Sequence, residues 1–311
     1  MMNKKREIPI VLAFTPDYFI PAATCLYSLF SHACQGQNFH VICLLTEALP
    51  ERLQQKIRLI GKGKSYYSFI NLQHCLHNIY VADKYTIAAS YRLLLPDLLP
   101  EYSKVIYLDC DMIVRNDLGK LYHAVALGEN YLAAVFETPL DFQKEHIEAV
   151  GCDPESYFNS GFLIMNLDLL RRDKMVQQFI EASKADDLEF PDQDVLNSLC
   201  KGRVIGLPPF YNSIRTFYLP QYKKCFLKKY TEQDWKEVHL HGTVHYTGAK
   251  PWKHFTIEFA VWWQYYKALP KVVKVEGNVN KRMYILFCFY RSCVGGLLIN
   301  SFRFLYRKLK Y

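Results

Sequence analysis

Short apolar runs alternate with amphipathic stretches along most of the chain. Ile8–Phe14, Phe39–Leu45 and Tyr67–Leu72 are runs of strand length, and their near-continuous apolar character predicts strands buried on both faces. Between them, Ala22–Phe30 places Cys25, Leu26, Leu29 and Phe30 on one helical face. Glu51–Ile60 reads as a helix closed by Gly61. Further along, Ser90–Leu95 predicts a helix stopped by Pro96 or Pro100, and Lys104–Leu108 a strand. Asn116-Asp117 can cap a short helix over Leu118–Tyr122. Leu132–Phe136, Phe162–Met165 and Val204–Leu207 predict strands, and Leu167–Ser183 one helix. Pro191-Asp192-Gln193-Asp194 opens a helix over Val195–Cys200 that ends at Gly202. Residues 208–243 are aromatic and irregular, and an aromatic-rich helix follows them, to about Lys267. Alternating strands and helices predict an α/β fold, with helices on both faces of a mostly parallel sheet. Ligands of such sheets collect beyond the carboxyl ends of the strands, where strand order reverses.

One strand ends in chemistry. Val105-Ile106-Tyr107-Leu108 runs into Asp109-Cys110-Asp111. Alternate side chains of extended chain share a side, so Asp109 and Asp111 can converge while Cys110 faces away. Paired carboxylates at the end of a buried strand repel unless a cation lies between them. A hard divalent ion suits oxygen ligands and keeps positions for substrate phosphates. The ordinary reading of an isolated Asp-X-Asp is a solvated turn, and its place after an apolar strand is what favours the site.

Composition narrows the class. The chain has 311 residues, half of them hydrophobic, which is enough for a sizeable core. None of the ten cysteines forms a Cys-x-x-Cys pair and no Asn-x-Ser/Thr sequon occurs, so buried free thiols in a reducing compartment are expected. Lys4, Lys5 and Arg6 before Ile8–Phe14 imitate a signal peptide, but Pro9 and the following Pro16-Asp17 favour a first strand. Net charge is +8, and seven basic residues with no acid lie from Lys281 onward, which leaves the body at +1. Phe302, Phe304, Leu305, Tyr306, Leu309 and Tyr311 alternate with that positive charge. Aromatic and cationic side chains together suit an anionic bilayer surface, whereas a nucleic-acid role is disfavoured by the near-neutral body. The expected organisation is residues 1–270 as the catalytic domain and 271–311 as a membrane-association tail.

Other motifs fail or stay ambiguous. Gly63-Lys64-Ser65 lacks the first glycine of a P-loop, since Arg58 occupies that position. Dinucleotide, zincin and nucleophile-elbow signatures are absent. His245 precedes a turn with Gly248, which admits close backbone approach to an anion, and Lys250, a mobile charge suited to phosphate. Imidazole with two carboxylates is a reasonable set for Mn2+, with Mg2+ as the alternative. Asp192, Gln193 and Asp194 read equally as helix caps or as contacts to sugar hydroxyls, and Asn159 as a turn residue or a ligand contact.

Taken in order, Ser90-Tyr91-Arg92-Leu93, Tyr107-Leu108-Asp109-Cys110-Asp111, Phe158-Asn159-Ser160-Gly161, Asp192-Gln193-Asp194 and His245-Tyr246-Thr247-Gly248-Ala249-Lys250-Pro251-Trp252 resemble glycosyltransferase family eight, the retaining sugar-nucleotide transferases. The likeness spans roughly residues 8–265. It implies the glycosyltransferase-A fold, with a C-terminal basic and aromatic helical tail. It implies Mn2+ on Asp109, Asp111 and His245, and the diphosphate on Gly248 and Lys250. Ala13 would contact the uridine, and Thr15, Tyr18 and Cys110 would belong to the donor-binding set. Arg92, Asn159, Asp192 and Gln193 would meet the donor sugar, with Glu137 on the acceptor side. The family's first strand commonly leads into an acid that reads uracil, whereas Thr15-Pro16 stands here and Asp17 follows.

The expected activity is transfer of galactose or glucose from a UDP-sugar to a hydroxyl of a glycan acceptor, with retention. The acceptor would be lipopolysaccharide core or another lipid-linked glycan, at the inner face of the cytoplasmic membrane. Gln193, Asp192 and Asn159 would form the catalytic set. Asp192 is the carboxylate that a retaining nucleophile would call for, but Gln193 would lie nearest the reacting face and, as a poor nucleophile, favours front-face attack. A metal-dependent nucleotidyltransferase and a silent membrane-bound sugar-binding protein are the rival classes.

Overall fold

The apolar runs assemble into one central sheet in the computed structural model, which describes residues 7–75, 86–277, 279–299 and 301. In chain order the strands are β1 (Glu7–Phe14), β2 (Asn38–Leu45), β3 (Ser65–Asn71), β4 (Lys104–Leu108), β5 (Met112–Ile113), β6 (Leu132–Phe136), β7 (Phe158–Asn166), β8 (Val204–Gly206) and β9 (Val244–His245). Seven of them form a sheet in the order β3-β2-β1-β4-β7-β6-β8. β7 alone runs against its neighbours, pairing antiparallel with both β4 and β6. The sheet is therefore mixed and mostly parallel, with the strand order reversing between β1 and β4.

Burial on both faces explains the uniform apolar runs. In β1, Ile10 and Leu12 enter one core while Val11 enters the other. In β4, Ile106 and Leu108 join the first core, and Val105 and Tyr107 the second. The first core holds the helices Phe19–His32 and Phe259–Ala268, where Trp262 and Trp263 are fully buried. The second holds Leu167–Arg172, Met175–Ala182 and Pro191–Leu199. The helix Glu51–Ile57 stops at Arg58, short of the expected Ile60, and Gly61 lies in the turn beyond it with φ +71°, where a Cβ would strike the Phe30 ring.

Several boundaries differ from the sequence reading. Pro96 does not stop a helix; a 3-10 segment, Ile87–Leu94, passes directly into Leu95–Leu98, and Pro96 sits in that helix's first turn, where a missing N–H costs nothing. The single helix expected over Leu167–Ser183 is broken at Lys174, which has φ +53°. The adjacent Asp173 is held by Tyr131 and Arg203, which fixes the chain there. Asn159-Ser160-Gly161 lie inside β7, not before it. A helix at Glu232–His241, opened by a Thr231/Asp234 capping box, lies within the stretch read as irregular.

All ten cysteines are free, but Cys75, Cys288 and Cys293 are exposed, so buried thiols describe only part of the set. The helix Lys281–Tyr290 docks Phe287 and Tyr284 against Trp263. No single helix among the described residues is long and apolar enough to cross a membrane. Lys281–Tyr290 and Cys293–Ile299 pass on length and composition as a pair, but are bent by 102°. The aromatic and basic residues from Phe302 to Tyr311, like Lys4 to Arg6, lie outside the described residues.

Candidate active site

A cleft of about 610 Å³ opens at the carboxyl ends of β1 and β4, where the strand order reverses. The acids enter it directly from β4. The Asp109 backbone amide donates to Gly161 O at 2.8 Å, which extends the β4–β7 ladder by one residue and fixes the carboxylate's direction. Cys110 turns away, toward the Ala13 carbonyl (3.6 Å). The chain then forms β5, whose Met112 is registered opposite His245 of β9. Two short strands thus bring a histidine from near the end of the chain to a carboxylate from its middle.

The three side chains share one point. His245 Nε2 lies 3.3 Å from Asp111 Oδ1 and 3.7 Å from Asp109 Oδ2, and one ligand atom from each residue falls within 4.8 Å of the others. Asn212 Oδ1 lies 2.9 Å from His245 Nδ1, so Nδ1 donates to Asn212 and Nε2 is the nitrogen turned toward the acids. Gly161 leaves the room for this: a Cβ there would sit 2.3 Å from His245 Cε1 and 2.7 Å from Asp109 Oδ2. Two carboxylate oxygens and an imidazole lone pair form a donor set that fits a divalent ion such as Mn2+.

Charge on the rim is balanced by Lys250, whose ammonium contacts Asp111 and the Tyr246 carbonyl. Burial alone would push the Asp111 carboxyl up. Lys250 and then His245 outweigh it and hold Asp111 well below the usual carboxylate range. Burial likewise opposes charge on Lys250, and Asp111 reverses that and raises it. Tyr18 closes the β1 side of the cleft, with its ring edge-on to Trp252 at 5.9 Å.

Arg92 organises the opposite wall. Its side chain is 2 % exposed, donates to Asp109 Oδ1 at 2.8 Å and to Ser160 Oγ at 3.0 Å, and pairs with Asp192 Oδ2 at 3.2 Å. It also lies over the Tyr107 ring, 4.3 Å from its centre. Ser160 Oγ donates to Asp192 at 2.8 Å. Burial pushes the Asp192 carboxyl up, and Arg92 only partly offsets it. Beside this group, Gln193 Oε1 accepts from Asn159 Nδ2 (3.0 Å) and the Ser160 amide (3.1 Å), while its Nε2 donates to Glu137 at 3.3 Å. Glu137 is pushed up by burial, against the pull of Asn159 and Gln193.

Fourteen of the residues nominated from the sequence line this one cleft: Ala13, Thr15, Tyr18, Arg92, Asp109, Cys110, Asp111, Glu137, Asn159, Asp192, Gln193, His245, Gly248 and Lys250. Asp194 does not contact the cleft: it is fully buried, and its carboxylate is taken up by His146, Tyr157 and the Phe190 amide. Asp17 is exposed and is not part of the lining. Sequence reasoning missed Asn212, which lies in the stretch read as irregular, and the roles of Tyr107 and Gly161. Arg215 was missed too; it lines the cleft beside Gly248. Of these, only Gly161 and Tyr107 stood inside a motif that could have flagged them.

Known proteins resemble the chain in sequence and in fold. The chain is 34 % identical over 172 residues to a lipopolysaccharide 1,2-glucosyltransferase of Escherichia coli K12, covering 53 % of this chain and 48 % of that protein. It is 32 % identical over 204 residues to a putative glycosyltransferase of Haemophilus influenzae, covering 62 % and 60 % respectively. It thus spans about half to three fifths of the length of these curated relatives. Among solved structures, the galactosyltransferase LgtC bound to donor and acceptor sugar analogs superposes with TM-score 0.69 at 24 % identity, over 86 % of this chain and all of that one. The bifunctional glycosyltransferase WbbM superposes with TM-score 0.73 at 20 % identity, over 88 % of this chain and 52 % of that one. The architecture is the glycosyltransferase-A fold. Residues 9–256 match the profile of Glycosyl transferase family 8, and the chain belongs to that family.

Proposed function

We propose that the protein transfers galactose or glucose from a UDP-sugar to a hydroxyl of a glycan acceptor, with retention, and that the acceptor is lipopolysaccharide core or another lipid-linked glycan. The observation that carries this reading is the convergence of Asp109, Asp111 and His245 at a cleft rimmed by Lys250. A divalent ion held by those three residues, Mn2+ before Mg2+, supplies Lewis-acid neutralisation of a diphosphate leaving group. Lys250 binds the same diphosphate as a mobile point charge, and the backbone near Gly248 leaves it room. Ala13 lines the side read as meeting the uridine, with Thr15, Tyr18 and Cys110 beside it in the donor site.

The other wall positions the sugar. Asp192 is committed to Ser160 and Arg92, which leaves it a poor candidate for a covalent nucleophile. Gln193, an amide, is a weak nucleophile by chemistry. Both features support attack on the face from which the diphosphate departs: the acceptor oxygen bonds to the anomeric carbon, the bond to phosphate oxygen breaks, and the acceptor proton passes to that oxygen. Gln193 and Asn159 orient the donor sugar, and Glu137 faces the incoming hydroxyl.

The test is donor turnover with UDP-glucose and UDP-galactose in Mn2+, following free UDP and the anomer of the product. Asp109→Ala should cost at least ~3–4 kcal/mol in the barrier, the scale of one principal electrostatic contribution. Release of pyrophosphate instead of UDP would mark a nucleotidyltransferase and overturn the reading, as would full activity of Asp109→Ala in metal-free buffer.

The tail supports a peripheral site on the inner face of the cytoplasmic membrane. Ile285, Phe289, Val294, Leu297 and Leu298 are exposed, and Lys281, Arg282 and Arg291 stand among them. Basic residues near anionic headgroups contribute roughly 1 kcal/mol each. Because Phe287 and Tyr284 belong to the body's aromatic core, a cut after Tyr290 is the cleaner truncation than one before Lys281. It should weaken sedimentation with phosphatidylserine vesicles while transfer to a soluble acceptor persists; unchanged sedimentation would defeat the idea.

A further inference from the structure

The cleft wall away from β1 contains a histidine that the reaction as drawn does not use. The helix Asp141–Ala149 carries His146 into the cleft lining beside Phe190. Its Nε2 lies 3.0 Å from Asp194 Oδ2. Asp194 is fully buried and also accepts from Tyr157 Oη at 2.5 Å and from the Phe190 amide at 3.0 Å. As a helix cap, Asp194 would need only the Phe190 amide. The hydroxyl and the imidazole are additional, and they hold the ring in one orientation.

The chemistry of the pair sets the tautomer. A carboxylate offers only lone pairs, so the nitrogen facing it carries the proton. Nδ1 is then left as an acceptor, and among the described residues it has no hydrogen-bond partner. The side chain is 21 % exposed, on a cavity wall. One turn earlier on the same helix face, Phe142 is 78 % exposed. Phe142 itself lies outside the cleft lining, at its edge along the helix. An accepting nitrogen on the wall with an exposed aromatic side chain one helical turn away suits a ligand with both hydroxyl donors and an apolar face, as a hexose ring has.

We propose that His146 is an acceptor-positioning residue: Asp194 holds its imidazole so that Nδ1 accepts a hydroxyl of the acceptor sugar, while Phe142 packs on that sugar's apolar face. This rests on reading the cleft as a sugar-transfer site. The wall continues from Glu137 and Gln193, since Gln193 donates to Glu137 and its chain neighbour Asp194 holds His146. A sugar seated against His146 therefore lies next to the residues assigned to the reacting face, with β4 and β7 between it and the nucleotide side of β1.

The experiment uses the full chain with Mn2+, UDP-glucose and UDP-galactose, and methyl glucosides and galactosides as acceptors. Wild-type release of UDP is measured first, with and without acceptor; its absence under both conditions would overturn the sugar-transfer reading and this inference with it. With UDP release present, His146→Ala should raise the acceptor KM about tenfold, the scale of one hydrogen bond, with kcat within about twofold. Phe142→Ala should raise the acceptor KM in the same direction. His146→Gln, whose amide can donate to Asp194 and accept from a hydroxyl, should restore part of the loss. An unchanged KM in His146→Ala, a fall in kcat alone, or no transfer to any methyl hexoside despite UDP release would overturn the role of His146.

Discussion

Asn212 Oδ1 lies 2.9 Å from His245 Nδ1, so a residue from an irregular loop decides which imidazole nitrogen faces Asp109 and Asp111. The same amide donates to Asn159 at 3.0 Å, and so ties the metal-side histidine to the sugar-side wall. Partners of this kind tune ligand basicity as well as direction.

Asn212→Ala should therefore weaken Mn2+ binding by about 10–100-fold, the usual cost of losing such a partner. Titration with Mn2+ followed by electron paramagnetic resonance reads the affinity directly. Activity should recover at high Mn2+, and an unaltered affinity would show that His245 orients itself.

Arg92 is buried between two acids, and removing it leaves both without their cation. Arg92→Leu should destabilise the fold by roughly 3–5 kcal/mol, the cost of leaving buried charge unpaired. Urea denaturation gives the value. Arg92→Lys should also fail to restore activity, because an ammonium cannot reach Asp109, Asp192 and Ser160 together.

Gly161→Ala separates site geometry from stability. The added methyl would collide with His245 and Asp109, not with the sheet core. The expected outcome is loss of Mn2+ binding and turnover, with a thermal midpoint within a few degrees of the parent. A large drop in that midpoint with metal affinity intact would contradict the placement of Gly161.

Glu137 gives a pH signature. Burial raises its carboxyl above the usual range despite donors from Asn159 and Gln193. A carboxyl raised on folding favours its neutral form, so its contribution is fully present below the unfolded value and is lost as pH rises through the folded one. Glu137→Gln removes that loss. The variant should gain stability relative to the parent as pH rises from acid to neutral, measured as the difference in urea midpoint. A flat difference across that range would refute the raised value.

What the sequence determined was whatever depends on neighbours along the chain. Apolar runs such as Ile8–Phe14 and Lys104–Leu108 announce strands buried on both faces, because each residue faces one of two cores whichever way it points. Asp109 and Asp111 announce a shared target because strand geometry has period two. The resemblance of the ordered segments from Ser90 to Trp252 brought in further side chains, and of the candidates only Asp194 stays out of the cleft lining.

Tertiary structure decided what depends on partners distant in sequence. The antiparallel direction of β7 follows from pairing with β4 and β6, and no local feature of Phe158–Asn166 encodes it. Lys174 breaks an apparently continuous helix because Asp173 is held by Tyr131 and Arg203 from elsewhere. Asn212 and His146 acquire their roles through His245 and Asp194, each more than thirty residues away. Periodicity reports which face of an element is buried, but only the closed fold says which polar groups meet there.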